Sequence, residues 1–363
     1  MRVALLTYST KPRGGVVHTL NLAEALAEQG ADVTVWSLAR NGDTGFFRRV
    51  DPAVTVRLLE FPDVADETVT DRIVRSIDTL RSRFTPHAYD IVHAQDCISA
   101  NAVGPCIRTI HHLDQFTTPI LAECHEKAVV DPYARICVSA AVAAEVTAGW
   151  GLHPTVIPNG VRAQRFTAAA ASAAPQRWRD RLGRYVLTVG GIEPRKGTVD
   201  LVDAYHLLRR DHPDLALVIA GGETLFDYRD YRAEFDRRAA ALGVAPVILG
   251  AVPDDELPGL VAGAEVFAFP STKEGFGLAA MEALAAGRPV VARDLPVLRE
   301  VFGDTVRYAT DAAGFAAGLA AAIGDTDRAA AGRALAESMT WQAAASAHIA
   351  FYTAHPLPGV HSR

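Results

Sequence analysis

The sequence predicts an α/β protein of two doubly wound, Rossmann-like domains, the first over residues 1–165 and the second over 181–338. Three observations predict this class. The chain has 363 residues, and at ~150 residues per domain two is the natural count. Short apolar runs alternate with stretches of helical period, the pattern of strands joined by parallel crossovers. The alternation halts once, in the alanine-rich stretch 163–178 around Pro175, and then starts afresh.

Residues 3–7 (VALLT) open the first sheet. A glycine-containing loop leads to a helix over 16–28, where Leu20, Leu22, Ala23, Leu26 and Ala27 keep a helical period. Apolar runs at 33–36, 54–59, 91–93, 107–110, 135–138 and 155–157 read as the next strands. A linker or fraying helix is expected at 163–178, with the domain linker at 166–180. The second sheet then takes strands at 185–190, 215–220, 247–249, 266–269 and 290–292, and reads as complete there. A last helix at about 341–354, in a crossover segment 339–356, is expected to return to the first domain, leaving a frayed tail at 357–363. Open parallel sheets bind ligands outside the C-terminal ends of their strands. Two such domains are therefore expected to face a shared cleft.

Composition narrows the function classes. Apolar residues make up 49% and charged residues 21%, ordinary for a globular protein. The net charge is -6, with 16 basic against 18 acidic residues in 1–165 and 20 against 24 beyond. Neither half has the basic excess of a nucleic-acid binder. Cys97, Cys106, Cys124 and Cys137 include no C-x-x-C pair and read as reduced, mostly buried thiols of a cytoplasmic protein. No metal-ligand spacing is present, so no metal site is expected. The start MRVALLTYSTKPRGG lacks the apolar core and cleavage site of a signal peptide and reads as a strand. No run of ~18 apolar residues predicts a membrane span. Arg72, Arg75, Arg81 and Arg83 share a helical stretch with Asp71 and Asp78, which reads as a solvated face and leaves peripheral membrane contact open. Nothing in the sequence fixes an oligomeric state.

The chemistry concentrates in 269–292, FPSTKEGFGLAAMEALAAGRPVVA. A strand ends at Pro270-Ser271, a loop carries Glu274-Gly275-Phe276-Gly277, and a helix follows at 278–286. Glycines let backbone approach a ligand closely, and the helix start offers free N–H groups and a positive dipole end to an anion. Glu282 lies five residues past Gly277, or ~7.5 Å along the helix axis. Glu274 and Glu282 can thus grip opposite ends of one extended ligand without touching its phosphates. A second anchor is VGGIEPRKG at 189–197, where Arg195 and Lys196 could neutralise a diphosphate.

These motifs resemble family 4 of the retaining glycosyltransferases, the glycosyl transferases group 1, which have the GT-B fold. Glu274 and Glu282 match the family's E-x7-E pattern, and the surrounding PS, EGFG, AMEALAAG and RPVVA match as well. The resemblance implies that Glu274 contacts donor-sugar hydroxyls, that Glu282 accepts hydrogen bonds from the ribose, and that amides of Gly275, Phe276, Gly277 and Leu278 hold the diphosphate. The family usually has V-G-R-x-x-x-x-K-G where this chain has Gly191 in the arginine position; Lys196 matches, and Arg195 is assigned the missing charge. LGAVP at 249–253 resembles the loop whose backbone contacts the base, which brings in Val252. Gly221-Gly222 is expected to line the same site.

In the first half, Arg13-Gly14-Gly15 resembles the family's glycine loop, with Lys11 and Arg13 as acceptor-side cations. In Thr109-Ile110-His111-His112, His111 matches the family's histidine, and His112 stands where the family has Asp. His93 reads as structural. Asn159, in VIPNGV, matches I-P-N-G-V-D and is expected to shape the domain border.

The resemblance implies transfer of a hexosyl group from a UDP- or GDP-sugar to an acceptor hydroxyl, with retention and without a metal or other cofactor. His111, Lys196 and Glu274 are the expected catalytic residues. The acceptor, whether sugar, lipid-linked or small molecule, is not specified. A sugar-nucleotide epimerase or isomerase of the same fold and a non-catalytic nucleotide-sugar binder are the alternatives. A nicotinamide dehydrogenase is disfavoured by the missing G-x-G-x-x-G.

Overall fold

A computed structural model describes residues 1–114, 116, 118–222 and 228–358. It divides into two compact units, Met1–Gly160 with Trp341–Arg363, and Val161–Thr340.

The first unit is built on a seven-stranded sheet of described residues: β1 (Arg2–Leu6), β2 (Asp32–Arg40), β3 (Thr55–Phe61), β4 (Ile91–Ala94), β5 (Ile107–Ile110), β6 (Ala134–Cys137) and β7 (Thr155–Val156). The order is β3-β2-β1-β4-β5-β6-β7, parallel throughout. Strands covered on both faces read as near-continuous apolar runs, and Val3 to Leu6, Ile91 to Ala94 and Ile107 to Ile110 are all buried, with His93, Arg108 and Thr109 as the polar exceptions. The helix Gly14–Glu28 buries Val16, Leu20, Leu22, Ala23 and Leu26. The last helix, Trp341–Ala354, belongs to this unit and buries Trp341, His348, Phe351 and Tyr352.

The second unit carries β8 (Arg184–Val189), β9 (Leu215–Ala220), β10 (Val247–Gly250), β11 (Val266–Phe269), β12 (Val290–Arg293) and β13 (Arg307–Ala309). Their order is β10-β9-β8-β11-β12-β13, again parallel. Its core joins Leu217, Ile219, Val266, Ala268 and Val291 from the sheet to Leu201, Phe315 and Leu319 from helices. Each large apolar side chain of this kind contributes about 1.5–3 kcal/mol when fully buried.

Three local outcomes differ from the sequence reading. The second sheet does not end at β12: Arg307-Tyr308-Ala309 adds an edge strand, too short and too polar to register as an apolar run. The stretch read as a linker or fraying helix folds into two helices, Ala163–Ala170 and Ala174–Leu182, anchored by buried Phe166 and Trp178, with Pro175 in a first turn where its missing N–H costs nothing. Leu357 is buried, so the expected frayed tail does not begin there; residues 359–363 lie outside the described residues. No helix of the described residues is long and apolar enough to cross a membrane.

In each sheet the chain reverses direction of winding between two central strands, β1 and β4 in the first and β8 and β11 in the second. Ligands of such sheets bind beyond the C-terminal ends of the strands flanking that switch.

Candidate functional site

In the second unit, both strands flanking the switch end in glycine-rich loops. After β8 the chain turns at Gly190 (φ +152), passes through a short 3-10 turn, Pro194–Lys196, and enters the helix Thr198–Leu208 at Gly197 (φ +61). A Cβ on Gly197 would lie 2.3 Å from the Pro270 carbonyl oxygen. Only glycine lets this loop pack against the loop after β11. The Thr272 N–H donates to the Arg195 carbonyl at 2.8 Å and locks the two loops together. Neighbouring strand ends close in from the other side. Gly190 N–H donates to Ala220 carbonyl and Gly221 N–H to Gly250 carbonyl, each at 2.8 Å. A Cβ on Gly221 would fall 2.2 Å from the Gly190 carbonyl, so Gly221 meets the β8 turn directly. Val252, half-buried, follows on the same edge.

Onto this frame the two loops deliver their charges. Lys196 Nζ donates to Glu274 Oε1 at 2.6 Å, and Arg195 Nη1 reaches the same oxygen at 3.2 Å. Arg195 also pairs with Glu193 at 3.2 Å and donates to the Lys273 carbonyl. The lysine stem lies along Gly190, and its ammonium is 5.6 Å from the Phe269 ring centroid. Burial would raise the Glu274 carboxyl, but the Lys196 and Arg195 charges override it and hold it down at about 2. Glu274 is thus a carboxylate at any working pH, and the two cations are fixed in place before a ligand arrives.

Beyond Glu274, Gly275 and Phe276 are buried, Phe276 being 3% exposed. Gly277 (φ +96) starts the helix Leu278–Ala285, and a Cβ there would lie 2.7 Å from Phe302. The N-terminal N–H groups of this helix have no intrahelical acceptor, and the helix follows the same β11 loop whose Glu274 meets Lys196. Glu282 lies farther along the same helix. Burial, with Asp254 in the same sense and Arg165 opposed, raises its carboxyl to about 7. Arg165 and Asp254 pair at 2.8 Å.

In the first unit, the helix Gly14–Glu28 begins directly after Arg13, whose guanidinium lies 5.9 Å from the Tyr8 ring centroid. Gly15 meets the His111 ring: a Cβ there would sit 3.6 Å from Cδ2 and 3.7 Å from Nε2. The glycine loop and the histidine after β5 are therefore brought together. Lys11 is exposed and tied to Asp43 at 2.7 Å, and His112 pairs with Asp114 at 3.3 Å. Burial, then the neighbouring His18 and Arg108, depress His111 well below the ordinary imidazole value, so it is neutral. His18 stands edge-on to His111 at 4.7 Å and is fixed by a 2.8 Å contact between its Nδ1 and Asn159 Oδ1. His93 bridges Thr109 and Tyr352 at 2.7 and 2.8 Å, tying β4 to the last helix.

Sequence reasoning did not include Glu193, the Arg165–Asp254 pair or His18 in the site. Glu193 had a signal, because it sits inside GGIEPRKG. Arg165 and Asp254 come from distant segments that only the fold brings beside Glu282.

Similarity to known proteins follows the same two halves. Residues 12–165 match the family described as Glycosyltransferase Family 4, and residues 177–336 match Glycosyl transferases group 1. The chain is 31% identical to a D-inositol 3-phosphate glycosyltransferase of Acidothermus cellulolyticus, over 80% of this chain and 75% of that protein. It is 30% identical to a glycogen synthase of Mycobacterium tuberculosis, over 98% of this chain and 95% of that one. Among solved structures, an Anabaena protein, HepE, in complex with UDP and glucose superposes with a TM-score of 0.74 at 19% identity, covering 97% of this chain and 99% of that chain. A sucrose-phosphate synthase from Thermosynechococcus elongatus gives 0.78 at 19% identity, covering 97% and 98%.

Proposed function

We infer the reaction from one premise: this chain belongs to family 4 of the glycosyltransferases, the glycosyl transferases group 1. Sugar transfer follows from the premise. We propose further that the sugar is a hexosyl group carried by a UDP- or GDP-sugar, that it moves to an acceptor hydroxyl, and that its anomeric configuration is retained. The solved neighbour bound to UDP and glucose supports a nucleotide-sugar donor.

One observation carries the assignment of the donor site. Lys196 and Glu274, delivered by the loops after β8 and β11, meet at 2.6 Å over the switch point, at the edge where the helix begins at Gly277. In this reading Lys196, Arg195 and the N–H groups of Gly275, Phe276, Gly277 and Leu278 take the diphosphate. Glu274 orients Lys196 and accepts from donor-sugar hydroxyls. Glu282 accepts from the ribose, and the backbone at Val252 meets the base. Gly14 and Gly15 are assigned to the donor by their place in the glycine loop at the start of the helix Gly14–Glu28. His111, neutral, hydrogen-bonds a sugar hydroxyl. Lys11, Arg13 and His112 serve the acceptor.

The chemical step is a front-face displacement. The bond from the anomeric carbon to the β-phosphate oxygen breaks, a bond to the acceptor oxygen forms on the same face, and the acceptor's proton passes to the departing phosphate. Fixed cations and N–H groups stabilise the charge that grows on that phosphate, and such preorganised electrostatics supply much of the rate enhancement in many enzymes. The paired carboxylates are grips in this scheme and not a nucleophile and acid of the kind that flank a bond in hydrolases.

A thermal-shift panel of UDP- and GDP-sugars tests the donor class, since a ligand that binds only the folded chain raises its midpoint by mass action. At least one nucleotide sugar should raise the midpoint of the wild-type chain, and Lys196→Ala should lose that rise. No response to any of them, or an undiminished response in the variant, would remove the assignment.

A further inference from the structure

At the opposite edge of the second sheet, where its strands begin, three arginines converge, and among the described residues none of them forms an ion pair with a carboxylate. Arg288 lies two residues before β12 and donates to the Ala264 carbonyl at 3.3 Å, just ahead of β11. Arg179, from the last turn of the helix Ala174–Leu182, donates to the adjacent Gly263 carbonyl at 3.0 Å. Arg333, from the helix Thr326–Ser338, lies on the turn before Arg288: a Cβ added to Gly287 would fall 2.1 Å from its Nη2. All three are half-buried. Nε of both Arg288 and Arg333 is buried and unpartnered. The carboxylate nearest in charge to Arg288, Glu265, is paired with Arg184 at 3.4 Å.

Fully buried cations are almost always paired, and a buried guanidinium nitrogen without a partner carries a desolvation cost even where the rest of the side chain is half-buried. Two backbone carbonyls account for one N–H each on Arg179 and Arg288, while a guanidinium has five donors. A guanidinium presents its donors as a planar fork that suits an oxyanion, phosphate above all. β11 has four residues, so at ~3.3 Å per residue about 13 Å separates this edge from the loops holding Lys196 and Glu274.

We propose that Arg179, Arg288 and Arg333 form a second anion site, for a phosphate group of the size of inorganic phosphate or a phosphate monoester, distinct from the donor site. Burial and the Arg179 and Arg333 charges depress Arg288, and a bound anion relieves that repulsion.

The test is thermal denaturation of the full chain in inorganic phosphate against chloride at matched ionic strength. With phosphate tenfold above its dissociation constant, the midpoint rises by about 2 °C. The rise is lost in Arg333→Gln and Arg288→Gln, largely kept in Arg333→Lys, and unchanged in Lys196→Ala. Circular dichroism and 31P line broadening at 25 °C check that each variant is folded and read binding without heating. A phosphate on a lipid head group has the same chemistry. Arg333-dependent cosedimentation with phosphatidylcholine vesicles containing phosphatidic acid assigns that source, and its absence alongside the thermal shift assigns free phosphate. No shift in the wild-type chain overturns the site. So does a shift that survives both glutamine substitutions, or one that only Lys196→Ala abolishes.

Discussion

Removing the charge of Glu282 tests the donor site through pH. Burial, aided by Asp254 and opposed by Arg165, lifts this carboxyl from 4.5 to about 7. If Glu282 accepts hydrogen bonds from the ribose, its ionised form is the one that binds the donor. That form is about a tenth of the population at pH 6 and about nine-tenths at pH 8. Donor affinity should therefore rise roughly tenfold between these values, with proton release on binding. A nucleotide sugar is a diphosphate diester with no proton of its own to lose in this window. Glu282→Gln should bind more weakly at pH 8 and show no such slope. The unliganded protein gives an independent check. The folded value lies above the unfolded one, so the contribution to stability is full below about pH 4.5 and is lost as pH rises through about 7. The loss by pH 8 is on the order of 3 kcal/mol at most. Glu282→Gln should accordingly raise the thermal midpoint relative to wild type at pH 8 and not at pH 4.5. Titration calorimetry at pH 6, 7 and 8, in buffers of differing ionisation enthalpy, reads both the slope and the proton. A wild-type affinity that is flat or falls with rising pH would refute the assignment.

Other consequences follow from the same geometry. Lys196→Ala should cut turnover by about 10²- to 10³-fold, the scale of losing one preorganised charge donor, while Arg195→Ala should cost less because Lys196 keeps the closer contact to Glu274; steady-state kinetics on the two variants ranks them. Gly197→Ala should lower the thermal midpoint markedly, because it forces both a positive φ and a clash with the Pro270 carbonyl. His18→Ala should lower the chain's turnover more than its stability, by freeing the His111 ring it stands against, and comparing kinetics with the thermal midpoint separates the two effects.

The strands of the first sheet were legible where apolar and β-branched residues run together, although β2 extends to Arg40, past the expected 33–36, and β7 keeps only Thr155 and Val156, both exposed. The edge strand at Arg307 was not, since two of its three residues are only half-buried and carry no alternation. The alanine-rich stretch 163–178 misled for a related reason: its helices rest on two anchors, Phe166 and Trp178, in a field of small residues with no periodic signal. The loop motifs around Gly197 and Gly277 could be read because only glycine fits their backbone. What stayed hidden was pairing across long separations. No spacing rule connects Lys196 to Glu274, Arg165 to Asp254, or His18 to Asn159. The meaning of Gly191 also sharpened. Arg195, assigned the charge missing at Gly191, stands beside Glu274 but is shared with Glu193.

Retaining transfer from a nucleotide sugar, driven by charge at Lys196, is most directly tested by proton NMR. The wild-type chain and Lys196→Ala are each given α-linked UDP- and GDP-sugars, with water as the only acceptor. Slow release of nucleoside diphosphate is expected from the wild-type chain, with the α-anomer of the free sugar appearing first, and no release from the variant. A β-anomer appearing first, an isomerised nucleotide sugar, or equal rates in the two proteins would contradict it.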